Sequence, residues 1–295
     1  MRVLIIGCGY VGLPLGAELA RQGHEVFGMR RTPAADGELR AAGIQPLHTD
    51  ITDPASLAEI EPCFDWVANT VSSSRGGVED YRRVYLAGTR NLVNWLMRAP
   101  PVKLVYTSST GVYGQNDGSI VDESRPTEPG TETGRVLVET ERLLLAAARE
   151  QGLPAVVLRL AGIYGPGRGH YFKQFVSGEM ALADGGQRIL NMIHRDDVVG
   201  AIIAALERGR AGEVYNVADD EPVTQTGFFR WLSAHLGRPM PSEGADVASA
   251  SPKRHLTNKV VSNAKLKAEL GCAFKYPTFR EGYADEVARF SLPQR

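Results

Sequence analysis

An α/β fold, a doubly wound parallel sheet with a smaller C-terminal lobe, is predicted by three observations. The apolar run Val3-Leu4-Ile5-Ile6 ends in Gly7-Cys8-Gly9-Tyr10-Val11-Gly12, three glycines at G-x-G-x-x-G spacing. Strand-like runs then alternate with helix-like ones through the first two-thirds of the chain, the pattern that builds a parallel sheet covered on both faces. Of the 295 residues 43% are hydrophobic, enough for a sizeable core in one large domain or two closely joined ones.

Residues 3–6 form the first expected strand, and 13–22 the helix after the glycines, with Gly23-His24 as its stop. Glu25-Val26-Phe27 opens a second strand, and further strands are expected at 43–48, 66–70, 104–108 and 155–160. Between them, 54–60, 81–98 and 135–151 carry apolar residues at helical spacing. Gly, Pro and Ser thicken at 239–252, which reads as a loop before a short C-terminal segment. Residues 1–165 are thus expected to form a Rossmann-type domain. Residues 166–295 form the smaller lobe, interleaved with it because a strand region near 187–220 partly returns to the sheet.

The strand–glycine loop–helix order carries chemistry. The first glycine permits a tight turn, the second lets backbone amides approach a pyrophosphate, and the third lets helix and strand pack closely. The helix N-terminus favours the anion. Gly7, Gly9, Tyr10, Val11 and Gly12 are therefore expected to bind a dinucleotide. A secretory or lipoprotein signal is the competing reading, since Arg2 precedes apolar residues and Ile5-Ile6-Gly7-Cys8 mimics a cleavage box. Only six residues separate Met1 from Cys8, too few for such a signal, and Glu18 and Arg21 soon interrupt the apolar run. A soluble, unprocessed chain is expected, with no membrane span.

A formal net charge of −1 gives no reason to expect nucleic acid or a membrane surface as partner. A small-molecule substrate is expected instead, and a homodimer is compatible with the composition. Cys8, Cys63 and Cys272 are odd in number and far apart, neither a disulfide framework nor a metal cluster, so a cytoplasmic location is the default.

In a parallel sheet, ligands lie beyond the carboxyl ends of the strands, so the residues after each strand are the ones to read. After the second strand comes Met29-Arg30-Arg31-Thr32. Arg30 stands where an acidic residue would hold the adenosine ribose 2′-hydroxyl of NAD. Two guanidiniums suit a 2′-phosphate, so NADP is expected over NAD. Asp50 and Ile51 follow the third strand, at the adenine edge, and Thr70 closes the fourth. Tyr106-Thr107-Ser108-Ser109-Thr110 brings several hydroxyls to the end of the fifth, where they could polarise a carbonyl or alkoxide.

With these residues the chain resembles the extended short-chain dehydrogenase/reductases, in their NAD(P)-dependent epimerase/dehydratase branch. The likeness includes Ser108-Ser109-Thr110-Gly111-Val112-Tyr113-Gly114 and Leu158-Arg159-Leu160-Ala161-Gly162-Ile163-Tyr164-Gly165-Pro166-Gly167. It continues through Ile193-His194-Arg195-Asp196-Asp197-Val198 and Gly212-Glu213-Val214-Tyr215-Asn216-Val217 to Ser262-Asn263-Ala264-Lys265-Leu266. The resemblance implies a Rossmann fold, a nicotinamide cofactor and oxidoreductase or epimerase chemistry on a small polar or sugar-like substrate. It also implies that Ser109 hydrogen-bonds a substrate oxygen.

The departures are specific. The family's glycine loop is usually one residue longer. Its acid/base pair is a Tyr with a Lys four residues on. Counting back from Gly152-Leu153-Pro154 and Glu141, those positions fall on Thr133 and Leu137, and no Tyr-x-x-x-Lys occurs anywhere. A threonine hydroxyl has too high a pKa to replace a phenol near pH 7. Tyr113, Glu132 and Arg135 are candidate substitutes, each with a structural alternative: packing for Tyr113, loop or helix-start charge for the others.

An arginine that commonly precedes the His-x-Asp-Asp segment is replaced by Leu190-Asn191, with Arg188 two residues earlier on the same strand face. Arg168, Lys173 and Arg188 are expected to form a cationic substrate site, Tyr164 and His170 beside them. His194, Asp196 and Asp197 read as a helix start rather than a metal site, with one of the aspartates as the cap. The expectation is an NADP-dependent oxidoreductase or epimerase with a degenerate Tyr/Lys site. The alternative is a non-catalytic NADP sensor or interaction protein. A ketopantoate- or 6-phosphogluconate-type reductase shares only the glycine loop.

Overall fold

In a computed structural model, residues 1–73, 76–179, 182, 184–242 and 257–291 are described. The strands in chain order are β1 (Arg2–Ile6), β2 (Glu25–Arg30), β3 (Ile44–His48), β4 (Trp66–Asn69), β5 (Lys103–Ser109) and β6 (Ile120–Val121). They continue with β7 (Ala155–Leu160), β8 (Gly162–Tyr164), β9 (Ile189–Leu190), β10 (Met192–His194), β11 (Val214–Val217), β12 (Val223–Thr224) and β13 (Val260–Val261). Seven of them form one parallel sheet in the order β11-β7-β5-β4-β1-β2-β3. The chain therefore leaves β1 toward β2 and β3, then crosses to the other side at β4. That reversal opens a crevice at the carboxyl ends of β1 and β4.

Strand β1 explains why the sheet is covered twice. Successive side chains point to opposite faces. Val3 and Ile5 join a core with Leu15, Leu19, Ile202 and Leu206, whereas Leu4 and Ile6 join another with Leu92, Leu96 and Leu144. Helices Gly12–Arg21 and Arg195–Arg208 thus lie on one face, and Gly88–Leu96 and Glu132–Gln151 on the other. Each of the four β1 side chains is essentially sealed from solvent, worth about 1.5–3 kcal/mol apiece.

A third cluster is aromatic. Phe172, Phe175, Phe228, Phe229, Phe279, Tyr164 and Tyr283 pack together away from the sheet, with Tyr164 and Tyr283 stacked at 4.4 Å between centroids. Short pairs brace this region, β8 with β10 and β9 with β12, while a third, β6 with β13, packs Val121 and Val261 into the core that holds Val3 and Ile5. No helix among the described residues is long and apolar enough to cross a membrane.

The expected strands are present, several of them longer: β2 extends to Arg30 and β5 spans 103–109. The helix expected at 81–98 begins at Val78 and is interrupted by a π-helical stretch, Arg82–Ala87. The short helix Asp36–Ala41 had no counterpart in the sequence reading. From residue 243 on, the loop expected at 239–252 lies outside the described residues.

Candidate functional site

The glycine loop follows β1. Gly7 has φ +85°, and a Cβ there would stand 2.9 Å from the Val71 backbone. Gly12 is equally confined: a Cβ would meet the Gly7 carbonyl at 2.6 Å and Thr70 Oγ1 at 2.8 Å. Gly12 is not among the residues lining the cleft; it lets the helix approach the strand, the part the sequence assigns to the third glycine. Gly9 differs, since the nearest atom to a Cβ there is the Gly7 carbonyl at 3.9 Å. A Cβ there would point into open space, the Gly9 amide itself donates to the Gly7 carbonyl at 2.7 Å, and helix Gly12–Arg21 starts without a side-chain cap. This bare cradle fits the pyrophosphate of a dinucleotide.

The loop is tied down from two sides. Thr70 Oγ1 donates to the Gly7 carbonyl at 2.9 Å, and Arg30 Nε donates to the Cys8 carbonyl at 2.5 Å. Arg30 also stands 3.8 Å from Glu38, whereas Arg31 is exposed and makes no ion pair among the described residues. Asp50 Oδ1 accepts from the Thr52 amide, and the Ile51 carbonyl accepts from Asn91. Gly7, Gly9, Tyr10, Val11, Arg30, Arg31, Asp50, Ile51 and Thr70 all line one cleft of about 1180 Å³.

Ser109 lies further along that cleft, at the end of β5. Its Oγ accepts from the Gly111 amide at 3.1 Å, leaving the hydroxyl proton free to donate. Thr133 and Leu137 line the same wall from helix Glu132–Gln151. Thr133 Oγ1 is 3.3 Å from Thr131 Oγ1, and the Thr131 hydroxyl caps the helix.

Tyr113 does not reach the cleft, a correction to its expected catalytic place. It is fully buried; its hydroxyl donates to Asn216 at 2.9 Å and accepts from Arg159 at 2.8 Å. Arg159 in turn holds Glu141, which accepts from Ser108. This buried chain is fully paired, as buried polar groups must be. Its site in the Val-Tyr-Gly segment follows from the short 3₁₀ turn Thr110–Val112, which swings Tyr113 under the sheet edge. Glu132 and Arg135, the other substitutes, pair with each other on the exposed first turn and do not line the cleft.

Across the cleft stand Arg168, Lys173 and Arg188. The Arg168 guanidinium lies 5.0 Å from the Tyr10 ring centre and that of Arg195 lies 5.3 Å from it, so the glycine loop touches the smaller lobe through Tyr10. Lys173 Nζ donates to the Gly167 carbonyl at 2.8 Å. Arg188 Nη1 is buried and has no hydrogen-bond partner. His170 and Tyr164 line the cleft too, Tyr164 from a buried position against Tyr283.

The helix-start segment differs in detail from expectation. The cap is His194, whose Nδ1 accepts from the Asp196 amide at 3.1 Å. Burial pushes its ring down to about 4, so the neutral ring does the capping. Asp197 instead accepts from the backbone amides of Lys275 and Tyr276.

Four side chains in the cleft were not foreseen from the sequence. Tyr81, at the end of the helical turn Val78–Tyr81, and Tyr85, in the π-helical stretch, enter it with their rings 4.8 Å apart, and the Tyr85 hydroxyl accepts from the Ser73 amide. Lys259 and Thr257 enter from the segment before β13. Nothing local marks Lys259: it sits in Asn258-Lys259-Val260-Val261, and only tertiary pairing brings it here.

Comparison with known proteins agrees with this architecture. The model of the NAD dependent epimerase/dehydratase family matches residues 3–218. Protein YeeZ of Escherichia coli (strain K12) is 30% identical over 94% of this chain and 96% of its own. A solved structure titled as a putative NAD-dependent epimerase/dehydratase of Methylobacillus flagellatus is 34% identical, with TM-score 0.78 over 98% of both chains. The dTDP-glucose 4,6-dehydratase DesIV of Streptomyces venezuelae, solved with NAD and TYD bound, shares the fold alone at 23% identity, with TM-score 0.83 over 98% of this chain and 96% of that one. The chain belongs to the NAD-dependent epimerase/dehydratase family, with that family's dinucleotide-binding Rossmann fold.

Proposed function

We propose that this protein is an NADP-dependent oxidoreductase or epimerase of a small, polar, anionic or sugar-like substrate, working without the customary Tyr/Lys pair. The observation that carries the reading is the continuity of the cleft. Glycine loop, Arg30 and Arg31 share one cavity with Ser109, Arg168 and Arg188. A dinucleotide-only binder has no use for Ser109 or a second cationic wall.

The loop amides around Gly9 would hold the pyrophosphate, and Arg31, free of ion pairs, would take the 2′-phosphate with Arg30 beside it. When bound, the dinucleotide supplies or accepts hydride. Ser109 would donate its free hydroxyl proton as a hydrogen bond to the substrate oxygen, which gains charge in the transition state. Arg188, with an unpartnered Nη1, and Arg168 would neutralise an anionic group on the substrate.

Thr133 and Leu137 bring neither a phenol nor a cation, so the proton must come from another group in the cleft. Titrating NADP and NAD separately tests the cofactor half. NADP is expected to bind on the order of a hundredfold more tightly, and Arg31→Asp with Arg30→Asp to reverse the order. Equal affinities would overturn the arginine argument.

A further inference from the structure

Leu137 stands where the family lysine would be, yet a different lysine lines the same cleft. Lys259 is 4% exposed, and its Nζ donates to the Tyr113 carbonyl at 2.9 Å and to Thr257 Oγ1 at 2.6 Å. An ammonium has three donors. Two are spoken for, and among the described residues the third has no partner and no carboxylate pairs with Lys259. A buried, uncompensated ammonium is costly, so structure alone gives little reason for it.

Its placement is also firmly fixed. Asn191 clamps the backbone on its C-terminal side: Nδ2 donates to the Lys259 carbonyl at 2.9 Å and Oδ1 accepts from the Val261 amide at 2.8 Å. Asn258 accepts from the Ile189 amide and, through its carbonyl, from Gly118. The acceptor of the Nζ proton, the Tyr113 carbonyl, closes the turn that begins at Ser109, and the buried Tyr113 hydroxyl anchors that turn to Arg159 and Asn216.

We propose that Lys259 is the proton donor to the substrate oxygen, working from the C-terminal segment in place of the missing helix residues. The inference rests on the oxidoreductase reading given above. In the reductive direction the substrate carbonyl carbon gains hydride from a reduced nicotinamide dinucleotide, and the C=O π pair moves to oxygen. An O–H bond forms as one Nζ–H bond breaks. The products are the alcohol, the oxidised dinucleotide and a neutral amine, which solvent reprotonates. Burial lowers the Lys259 ammonium to about 8. A donor with such a value is both protonated and acidic enough near neutral pH.

The test has two readouts. In lysine-13C-labelled protein, the Lys259 side-chain signal, identified by its loss in Lys259→Met, is titrated without cofactor and again with NADP⁺ and saturating dihydroxyacetone phosphate, a pair in which no hydride can pass to the ketone. A midpoint near 8 and a signal moved by the ketone are expected. A midpoint at the ordinary lysine value of about 10.4, or a signal indifferent to the ketone, would overturn the proposal.

Single-turnover oxidation of NADPH by dihydroxyacetone phosphate or glyceraldehyde is then followed against pH. The wild-type rate should be level below about 8 and fall tenfold per pH unit above it. Lys259→Met should slow the step about a hundred- to ten-thousandfold, with NADP affinity unchanged. Lys259→Arg, which keeps the charge and hydrogen bonds, should remove the fall near pH 8. An unaltered rate and profile in Lys259→Met would refute the role. Failure of the wild type to bind NADP would refute the underlying oxidoreductase reading instead, while leaving the lysine titration to be judged on its own.

Discussion

Gly9 and Gly12 make opposite predictions from the same substitution. In Gly9→Ala the new methyl would meet nothing nearer than the Gly7 carbonyl at 3.9 Å, and the backbone is not left-handed there. Folding should therefore be unharmed, or gain a few tenths of a kcal/mol because the unfolded chain is stiffened. The methyl would, however, fill the space in which the proposed pyrophosphate would lie against the loop. Losing that close approach should weaken NADP by roughly tenfold to a hundredfold, about 1.4–2.7 kcal/mol.

In Gly12→Ala the methyl would stand 2.6 Å from the Gly7 carbonyl and 2.8 Å from Thr70 Oγ1, and only 3.1 Å from Ile5. Two of these are backbone or tightly held groups, so helix and strand must separate. Overpacking of this kind costs about 1–3 kcal/mol, which in a chain of this size lowers the melting temperature by several degrees at about 2–4 °C per kcal/mol. Thermal unfolding without ligand and a fluorescence titration of NADPH separate the two effects. A Gly9→Ala protein that binds NADPH like the wild type would refute the cradle. A Gly12→Ala protein as stable as the wild type would refute the close-packing argument.

Three further outcomes are expected. Arg188→Ala should weaken binding of a phosphate-bearing probe such as dihydroxyacetone phosphate while leaving NADP affinity within about twofold. Adding Arg168→Ala should deepen the loss; an equal fall in NADP affinity, measured by calorimetry, would refute the division of the cleft between cofactor and substrate. Tyr113→Phe should cost about 1–3 kcal/mol in urea unfolding, since Arg159 and Asn216 each lose a buried partner, with NADP affinity unchanged. Full stability with turnover abolished would instead make Tyr113 a participant in the chemistry.

The third concerns pH. The unfolded chain protonates His194 near 6.5, whereas the folded ring resists until about 4, so the His194 contribution is complete above pH 6.5 and is lost as pH falls toward 4. On the order of 3 kcal/mol is at stake across that window. His194→Asn keeps a cap acceptor and should flatten this part of the stability–pH curve; an unchanged slope would show that another group controls it.

The amino-acid pattern alone determined the fold class and placed the glycine loop and the residues after β2 along the cleft. Both are local: period-two apolar runs, glycine spacing and the arginines at the end of β2 each lie within a few neighbouring residues. Ser109 was legible for the same reason, at the end of its strand.

Tyr113 was not. Ser109, Thr110 and Gly111 just before it line the cleft, and only the three-dimensional partners Arg159 and Asn216, 46 and 103 positions away, turn it inward. The capping role of His194 was likewise hidden behind two aspartates that any sequence reading favours. Lys259 marks the limit most clearly. It lies 146 residues from the carbonyl that holds it, and Asn191, another 68 residues away from it, sets its direction. A residue supplied to a cleft by a distant segment leaves no periodicity and no spacing in the chain, because its position is fixed by long-range hydrogen bonds that form only once the sheet and the smaller lobe have met.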